Sequence, residues 1–379
     1  MLYDVIVVRP FDKVFTYSSI NKELKIGQVV LVPFGKKLET GIIWDTNVKK
    51  PKHEIKEITS VIENIILTNT TIKFIKWIAN YTLAPLGSVL KLFLINNEIV
   101  EFNLEKFNNN KFNPSVIILN KEQESAKSEI IHSMRKSNKP ILLEGVTGSG
   151  KTEVYFEIIE KILEEKKQIL IMVPEISLTP QLETRFKKRF GIDVFLWHSK
   201  VSKKNRQKIW HSSFNGDQVI VIGARSSLFL PFSNLGLIVV DEEHDSSYKQ
   251  EESIRYQARD LAIVRSKIEK NFILLASATP SLETINNVKN KKYDHVYLSK
   301  QFSGTPLPEI LLINLNKEKL EKDKWISKSI TEEISKCLDN KEQVLIFLNR
   351  RGYSPLTLCN TCGFRYECEQ CSSWMVMHQ

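Results

Sequence analysis

The chain has 379 residues, of which 42% are hydrophobic and 26% charged, and its formal net charge at pH 7 is +10. This composition is typical of a globular protein, and the length favours two to four domains over one core. It excludes a membrane span, because no run of about 18 uncharged apolar residues occurs, and Asp4 and Arg9 come too early for a secretory signal. We therefore expect a cytoplasmic protein. The positive charge is compatible with a nucleic-acid partner, but the drift of an AT-rich genome toward Lys and Asn would produce it equally well.

Residues 1–62 have the pattern of a small β-rich domain. Apolar and polar residues alternate in DVIVV and again in QVVLVPFGKKLETGIIW, where residues 34–37 form a predicted tight turn between two strands.

Residues 63–114 have a helical pattern. The spacing predicts one helix over 71–81 and a second around 88–94, after the break at Pro85. With the apolar segment EIVEFNL behind them, these helices suit a winged-helix-like module.

Residues 115–305 have the texture of an α/β domain. Short apolar runs, which are PSVIILN, PILLEG, QILIMVP, VFLWH, QVIVIG, LGLIVVDEEH and NFILLASATP, alternate with helical stretches, as buried parallel strands do. A second such region begins in 306–379 with EILLINL and QVLIFLN. Cys337 lies there in a helical pattern with Ile330, Ile334 and Leu338, where we expect it to be a small buried apolar residue.

A complete phosphate-binding loop follows the predicted strand PILLEG. Its residues are Gly145, Val146, Thr147, Gly148, Ser149, Gly150, Lys151 and Thr152. Glycines allow backbone N–H groups to surround phosphates at the start of a helix, Lys151 neutralises phosphate oxygens, and the Thr152 hydroxyl suits Mg²⁺. The loop therefore predicts an ATP site.

Two acidic residues follow the strand LGLIVVD at the edge where ligands of parallel sheets bind. Asp241 suits Mg²⁺, and Glu242 suits the general base that orients the attacking water. The segment Ser277-Ala278-Thr279 ends the next apolar run. The order GSGKT, DEEH, SAT favours a translocase that moves on DNA or RNA.

Six motifs are similar, in order, to those of one family. They are GVTGSGKTEVY, VPEISLTPQL, ARSSLFLPFSNLGLIVVDEEHDSSYKQ, RYQARDLA, SATPSLE and LNRRGY. They resemble the bacterial primosomal replication-restart DNA helicases, the PriA family of superfamily-2 DExH helicases. The resemblance implies an α/β, RecA-like P-loop lobe with a parallel sheet, followed by a partial second lobe with a zinc-binding insertion. It also implies an ATP-dependent 3′-to-5′ DNA helicase that recognises abandoned replication forks and promotes primosome assembly.

The same resemblance implies DNA contacts. Phe15, Gly35 and Lys56 fall on positions of the family's pocket for a nascent 3′ end, although Thr16 stands where the family commonly has an acidic residue. Arg225 and Ser226 match positions that touch single-strand phosphates. Tyr248, Tyr256 and Arg259 follow the DEEH box in a segment where aromatic rings are expected to stack on bases. The implied partners are forked and single-stranded DNA, single-stranded-DNA-binding protein and other replisome-loading proteins.

Four cysteines form two CxxC pairs near the end of the chain. Cys359, Cys362, Cys368 and Cys371 are suited to Zn²⁺, and only five residues separate the pairs. The family resemblance implies two zinc ions held by four pairs, so each pair here is expected to be half of a separate site. It also implies later second-lobe motifs beyond Gln379, and we expect a fragment that binds ATP well and hydrolyses it poorly.

Two other functions remain open from the sequence. One is a fork-DNA-binding scaffold with an idle ATPase. The other is an RNA helicase, which the N-terminal β-rich region and the DEEHDSSYKQ block disfavour.

Overall fold

The computed structural model describes residues 1–20, 23–48, 55–94, 112, 114–115, 118–174, 180–192, 194–304, 308–315, 317–318, 320, 324, 326–347 and 364. The chain divides into two compact units, Met1–Pro306 and Leu307–Gln379. In this described part, no helix has the length and apolar character that crossing a membrane requires.

The first unit begins with a six-stranded sheet. Its strands are β1 (Leu2–Val7), β2 (Phe15–Ser18), β3 (Gln28–Phe34), β4 (Lys37–Asp45), β5 (Lys56–Glu57) and β6 (Ser60–Ile66), in the order β5-β2-β1-β4-β3-β6. All neighbours are antiparallel except β2 and β5. The predicted turn at 34–37 is confirmed, since Phe34 pairs with Lys37 and Gly35 has a φ of 61°.

Two helices follow this sheet, as the apolar spacing predicts. They are α1 (Asn69–Thr82), which the Thr68 side chain caps, and α2 (Leu86–Phe93). The predicted domain boundary after residue 62 falls inside β6, which pairs with β3 in this sheet. The winged-helix-like interpretation stays a prediction, and EIVEFNL lies outside the described residues.

A seven-stranded parallel sheet forms the rest of the first unit. Its strands are β7 (Ile141–Gly145), β8 (Gln168–Met172), β9 (Val194–Trp197), β10 (Ile220–Gly223), β11 (Leu235–Asp241), β14 (Phe272–Ser277) and β15 (Asp294–Leu298), in the order β15-β7-β14-β11-β8-β10-β9. The helices are α3 (Lys121–Lys136), α4 (Lys151–Glu164), α5 (Pro180–Phe190), α6 (Lys203–Asn215), α7 (Ala258–Glu269) and α8 (Leu282–Lys289), and a two-stranded ribbon joins β12 (Lys249–Gln250) to β13 (Tyr256–Gln257). This order brings the ends of β7, β14 and β11 side by side.

One hydrophobic core joins the N-terminal elements to one face of the parallel sheet. Phe93 of α2 meets Phe229 edge to face, with ring centroids 5.4 Å apart, and its carbonyl accepts a 2.8 Å hydrogen bond from the Trp210 indole. The buried Arg265 of α7 lies over the ring of Phe74 in α1. The N-terminal part therefore packs directly on the nucleotide-binding part.

The second unit differs from the predicted start of a lobe. Its described residues include one helix, α9 (Lys328–Asp339), which has no buried residue. The predicted strands EILLINL and QVLIFLN are not formed among the described residues at 308–315 and 343–347. The expectation of a buried Cys337 is also wrong, because its side chain is half-exposed on α9. The four paired cysteines lie outside the described residues.

Candidate nucleotide and DNA-binding site

The phosphate-binding loop joins β7 to α4, as its motif predicts. Gly148 and Gly150 adopt left-handed backbone with φ of 77° and 80°. A Cβ on Gly150 would force the Gln123 Nε2 to shift, and the positive φ at this position favours glycine in itself. Gln123 donates a 3.0 Å hydrogen bond to the Ser149 carbonyl and thereby fixes the loop from α3.

Lys151 begins α4 and points back toward the loop. Its Nζ donates a 2.9 Å hydrogen bond to the Gly145 carbonyl. Burial lowers the pKa of Lys151, and the nearby carboxylates of Glu242 and Asp241 oppose that shift. The ammonium group thus lies between the loop and the acidic end of β11, where it is suited to bind phosphate oxygens.

The two predicted Mg²⁺ ligands meet at one tyrosine. The Tyr155 hydroxyl donates a 3.0 Å hydrogen bond to Asp241 Oδ2 and also bonds the Thr152 side chain. Burial, followed by the neighbouring Glu242 carboxylate, raises the pKa of Asp241. Two adjacent carboxylates in a partly buried position and a hydroxyl oxygen are a donor set that fits Mg²⁺.

Glu242 occupies an unusual backbone position beside that donor set. Its φ is 47°, in the left-handed region, and its N–H donates a 3.1 Å hydrogen bond to Asp241 Oδ1. Behind it, His244 Nδ1 lies 2.7 Å from Ser277 Oγ, and that hydroxyl also accepts the Thr279 N–H at 3.0 Å. The DEEH and SAT segments are therefore hydrogen-bonded to each other.

These groups surround one cavity of about 750 Å³. It is lined by the predicted residues Thr147, Gly148, Gly150, Lys151, Thr152, Asp241 and Glu242, and by Ser115, Ile118, Gln123, Glu153, Phe156, Arg185, Lys188, Arg189, Ala278 and Phe302. Phosphate-binding, acidic and apolar groups thus line one cavity at the carboxyl edge of the sheet. This combination of groups is suited to a nucleoside triphosphate.

Among the lining residues that sequence reasoning did not assign to this site, two contact the phosphate-binding loop through hydrogen bonds. Gln123 is 1% exposed and closes a capping box with Asn120. The pattern N-x-x-Q before a helical run was its only signal. Phe302 donates its backbone N–H to the Gly148 carbonyl at 2.9 Å and lines the cavity, and no motif marks it.

Two of the three residues assigned to the 3′-end pocket lie close together. Phe15 of β2 packs edge to face on Phe34, with centroids 5.0 Å apart, and Gly35 follows Phe34 directly. A Cβ on Gly35 would meet nothing within 4 Å, so the space above this turn is open. Lys56 is exposed on β5 and pairs with Tyr17, two residues beyond Phe15.

Arg225 and Ser226 lie in a short 3₁₀ helix after β10. Arg225 donates hydrogen bonds to the carbonyls of Ser247 at 3.0 Å and Lys249 at 2.9 Å, and the Ser226 hydroxyl accepts one from the Trp197 indole at 3.1 Å. Both residues therefore lie at the carboxyl edge of the sheet, engaged with neighbouring segments.

Three other residues that were expected to contact DNA are buried in this structure. Tyr248 is 1% exposed and Tyr256 is 8% exposed, so neither ring is available to stack on a base in this structure. The Tyr248 hydroxyl contacts the carbonyl oxygens of Asp241 at 2.6 Å and Met172 at 2.9 Å, whereas the Tyr256 ring packs on Phe229. Arg259 is buried and pairs with Glu243 at 3.0 Å. The motif after the DEEH box predicted aromatic rings that bind DNA, but the sequence alone does not distinguish such a ring from one that packs in the core.

The predicted zinc ligands Cys359, Cys362, Cys368 and Cys371 lie outside the described residues. Within the residues that are described, no group of three or more His, Cys, Asp or Glu side chains is arranged to hold a metal ion. Zinc binding stays a prediction.

Two protein families match parts of the chain. Residues 120–288 match the DEAD/DEAH box helicase family, and residues 4–95 match the PriA 3′DNA-binding domain. The second match covers both the six-stranded sheet and helices α1 and α2.

Curated relatives named Replication restart protein PriA match the chain along most of its length. That of Rickettsia conorii is 46% identical over 380 residues, which are 98% of this chain and 58% of that protein. That of Haemophilus influenzae is 36% identical and covers 98% of this chain and 61% of that protein. That of Bacillus subtilis is 40% identical over 64% of this chain and 30% of that protein.

The chain thus spans less than two thirds of the length of these relatives. The parallel sheet with its phosphate-binding loop is the RecA-like fold of the helicase match. With a 3′DNA-binding domain at residues 4–95, a helicase domain at 120–288 and this similarity, the chain belongs to the PriA family of replication restart proteins.

Proposed function

We propose that the protein is an ATP-dependent 3′-to-5′ DNA helicase that acts at stalled or abandoned replication forks and promotes primosome assembly. The observation that supports this most directly is one compact unit that carries the cavity around Lys151, Thr152, Asp241 and Glu242 together with a 3′DNA-binding domain. A nucleotide site packed on a DNA-end site is the arrangement that a fork-directed motor needs.

In this proposal the cavity binds ATP through the loop 145–152. Backbone N–H groups of the loop and the start of α4 hold the phosphates. The Lys151 ammonium exchanges its hydrogen bond to the Gly145 carbonyl for phosphate oxygens. Thr152 and Asp241 would hold Mg²⁺, which would supply charge neutralisation at the phosphates.

Glu242 acts as the general base in the proposed hydrolysis. Its carboxylate lines the cavity next to Lys151 and accepts a proton from the water that attacks the terminal phosphate. Tyr155 keeps its proton, because burial raises its pKa well above the ordinary value. Its hydroxyl therefore remains a donor and holds Asp241 in place through a hydrogen bond. His244, in the same DEEH box as Glu242, contacts Ser277 and so links this box to the SAT segment.

The proposed DNA contacts fall into two groups. Phe15, Gly35 and Lys56 are proposed to receive a free 3′ end, with the ring stacking on the last base above the open turn. Arg225 and Ser226 are proposed to contact single-strand phosphates at the carboxyl edge of the parallel sheet. Proteins that bind single-stranded DNA and load the replisome are proposed partners, by analogy with the family.

The proposal of zinc binding rests on the two CxxC pairs near the end of the sequence. Cys359, Cys362, Cys368 and Cys371 are proposed to contribute two thiolate pairs to zinc sites. Zinc analysis of the purified protein, compared with a variant in which Cys359 and Cys362 are replaced by Ser, tests it. The zinc content should fall in the variant, and an equal content would contradict the assignment.

Fluorescence anisotropy with forked DNA tests the 3′-end assignment. A fork with a free 3′ hydroxyl is compared with the same fork blocked by a 3′ phosphate. We expect weaker binding of the blocked fork, because the proposed pocket receives a free 3′ hydroxyl, and the added phosphate changes both the size and the charge of that end.

The matched variants are Phe15→Ala and Tyr297→Ala. Tyr297 is 51% exposed on β15, in the parallel sheet rather than the 3′DNA-binding domain. Phe15→Ala should lose about 1 to 3 kcal/mol of binding, the value of one stacked base, and should no longer distinguish the two forks. Equal binding of both forks by the unchanged protein would contradict 3′-end recognition.

A further inference from the structure

The third residue of the DEEH box, Glu243, is a buried carboxylate with no place in the proposed chemistry. Its side chain is 0% exposed and does not line the nucleotide cavity. Burying a carboxylate is unfavourable unless charged and polar partners compensate for the lost water. The hydrogen-bond and ion-pair partners of Glu243 therefore indicate its role.

Four donors converge on this carboxylate. Oε1 accepts the Ser281 N–H at 2.7 Å. Oε2 accepts the hydroxyls of Ser281 at 3.1 Å and Thr284 at 3.0 Å, and the Arg259 Nη1 at 3.0 Å. Arg259 in turn donates to Ser281 Oγ and, through Nε, to Asp260 at 2.9 Å. The side chains of Arg259, Ser281 and Thr284 each make a further hydrogen bond, so the partners of Glu243 are themselves held in place.

These partners belong to α7 and α8, the helices that precede and follow β14 in the sequence. Arg259 lies in the first turn of α7, and Ser281 is the N-cap of α8. The Glu243 N–H also donates to the Ala276 carbonyl at 3.1 Å, next to the SAT segment. Glu243 thus ties the DEEH loop to both helices and to β14.

The residue immediately before it, Glu242, carries backbone strain. A non-glycine residue at a φ of 47° is disfavoured because its Cβ approaches the following carbonyl oxygen, and it persists only when its surroundings hold it there. On one side, Asp241 accepts the Glu242 N–H at 3.1 Å. On the other side, the Asp245 N–H bonds the Glu242 carbonyl at 2.9 Å, and Glu243 anchors the chain.

We propose that Glu243, paired with Arg259, is a positioning residue for ATP hydrolysis, which holds the strained Glu242 backbone so that the Glu242 carboxylate faces the cavity. This inference rests on the proposed role of Glu242 as general base. A positioning role predicts loss of turnover without loss of nucleotide affinity, because Glu243 does not touch the nucleotide cavity.

The test uses Glu243→Gln in the purified protein, with ATP turnover in the presence of forked DNA and with equilibrium binding of a fluorescent ATP analogue with Mg²⁺. The substitution keeps the size of the side chain and removes the charge that pairs with Arg259. We expect kcat to fall about tenfold or more, since a misplaced general base forfeits part of its usual contribution of about 10² to 10⁴. KM and the dissociation constant should change by less than about twofold.

The matched control is Glu269→Gln. Glu269 accepts a 2.9 Å hydrogen bond from the fully buried Arg265 at the other end of α7, so the same chemical change removes a second buried Arg–Glu pair of the same helix. We expect this variant to lower the melting temperature and to keep the kcat of the folded protein. A kcat of Glu243→Gln equal to wild type, or equal to that of Glu269→Gln, would overturn the proposal.

Two further arms keep the result unambiguous. If Glu243→Gln does not fold, Ser281→Ala removes one hydroxyl donor from the network and should lower kcat about two- to fivefold at unchanged nucleotide affinity; an unchanged kcat would overturn the proposal. If Lys151→Ala and Glu242→Gln also leave turnover unchanged, the proposed hydrolysis itself fails. If those two abolish turnover and the Glu243 and Ser281 variants do not lower it, only the positioning inference fails.

Discussion

Removing the Tyr248 hydroxyl is expected to destabilise the first unit. This hydroxyl lies 2.6 Å from the Asp241 carbonyl and 2.9 Å from the Met172 carbonyl, where it joins the ends of β11 and β8. Burial raises the pKa of Tyr248 well above its ordinary value, so the hydroxyl keeps its proton and remains a donor. Tyr248→Phe leaves the ring in the core and removes the single hydrogen that this hydroxyl can donate to the two carbonyls.

The magnitude follows from the cost of leaving a buried polar group unpaired, about 1 to 3 kcal/mol. For a unit of the size of Met1–Pro306, that loss corresponds to a fall in melting temperature of about 2 to 5 °C. Calorimetry or thermal circular dichroism measures it. The control is Tyr81→Phe, whose side chain is 59% exposed and should change the melting temperature by less than about 1 °C.

A melting temperature of Tyr248→Phe within about 1 °C of wild type would refute this reasoning. The contacts of the Tyr248 hydroxyl with the two strand carbonyls would then contribute little to the stability of the first unit.

Two further predictions concern the nucleotide loop and the pH dependence of stability. Gly150→Ala should weaken binding of a fluorescent ATP analogue at least about tenfold, because the new Cβ meets Gln123 and a φ of 80° disfavours alanine; an unchanged dissociation constant would show that the loop tolerates a side chain. Burial raises the pKa of Tyr256 to about 12. Since the folded state keeps a proton that the unfolded state releases near pH 10, this stabilisation is present below pH 10 and is lost as pH rises to about 12, by up to about 3 kcal/mol. Denaturant unfolding of Tyr256→Phe should lack that part of the alkaline loss, and identical pH profiles would contradict the assignment.

The sequence predicted that the phosphate-binding loop and the acidic pair meet at one edge of the sheet, because the signals for both are local. The loop 145–152 and the acidic pair Asp241 and Glu242 each follow a buried apolar run, and the parallel sheet brings the ends of such runs to one edge. Helix α1 and the turn at 34–37 were predicted for a similar reason, since periodicity and turn residues act over a few positions.

The sequence could not predict contacts between distant segments. Strand β15 was missed because Asp294–Leu298 alternates buried Val296 and Leu298 with more exposed residues at the sheet edge, and so lacks the continuous apolar run of its neighbours. Tyr248 and Arg259 were assigned to DNA because a motif identifies residue types without their burial. Only the packing of α7 and α8 reveals that Arg259 binds Glu243 instead.

Steady-state ATP hydrolysis with and without forked DNA tests the central claim most directly. The protein is compared with Lys151→Ala, which removes the ammonium group that contacts the phosphate-binding loop. If nucleotide and DNA sites form one motor, DNA should raise hydrolysis by the wild type severalfold, and Lys151→Ala should show no hydrolysis above background with or without DNA. Hydrolysis that is the same with and without DNA, or that survives in Lys151→Ala, would contradict the account.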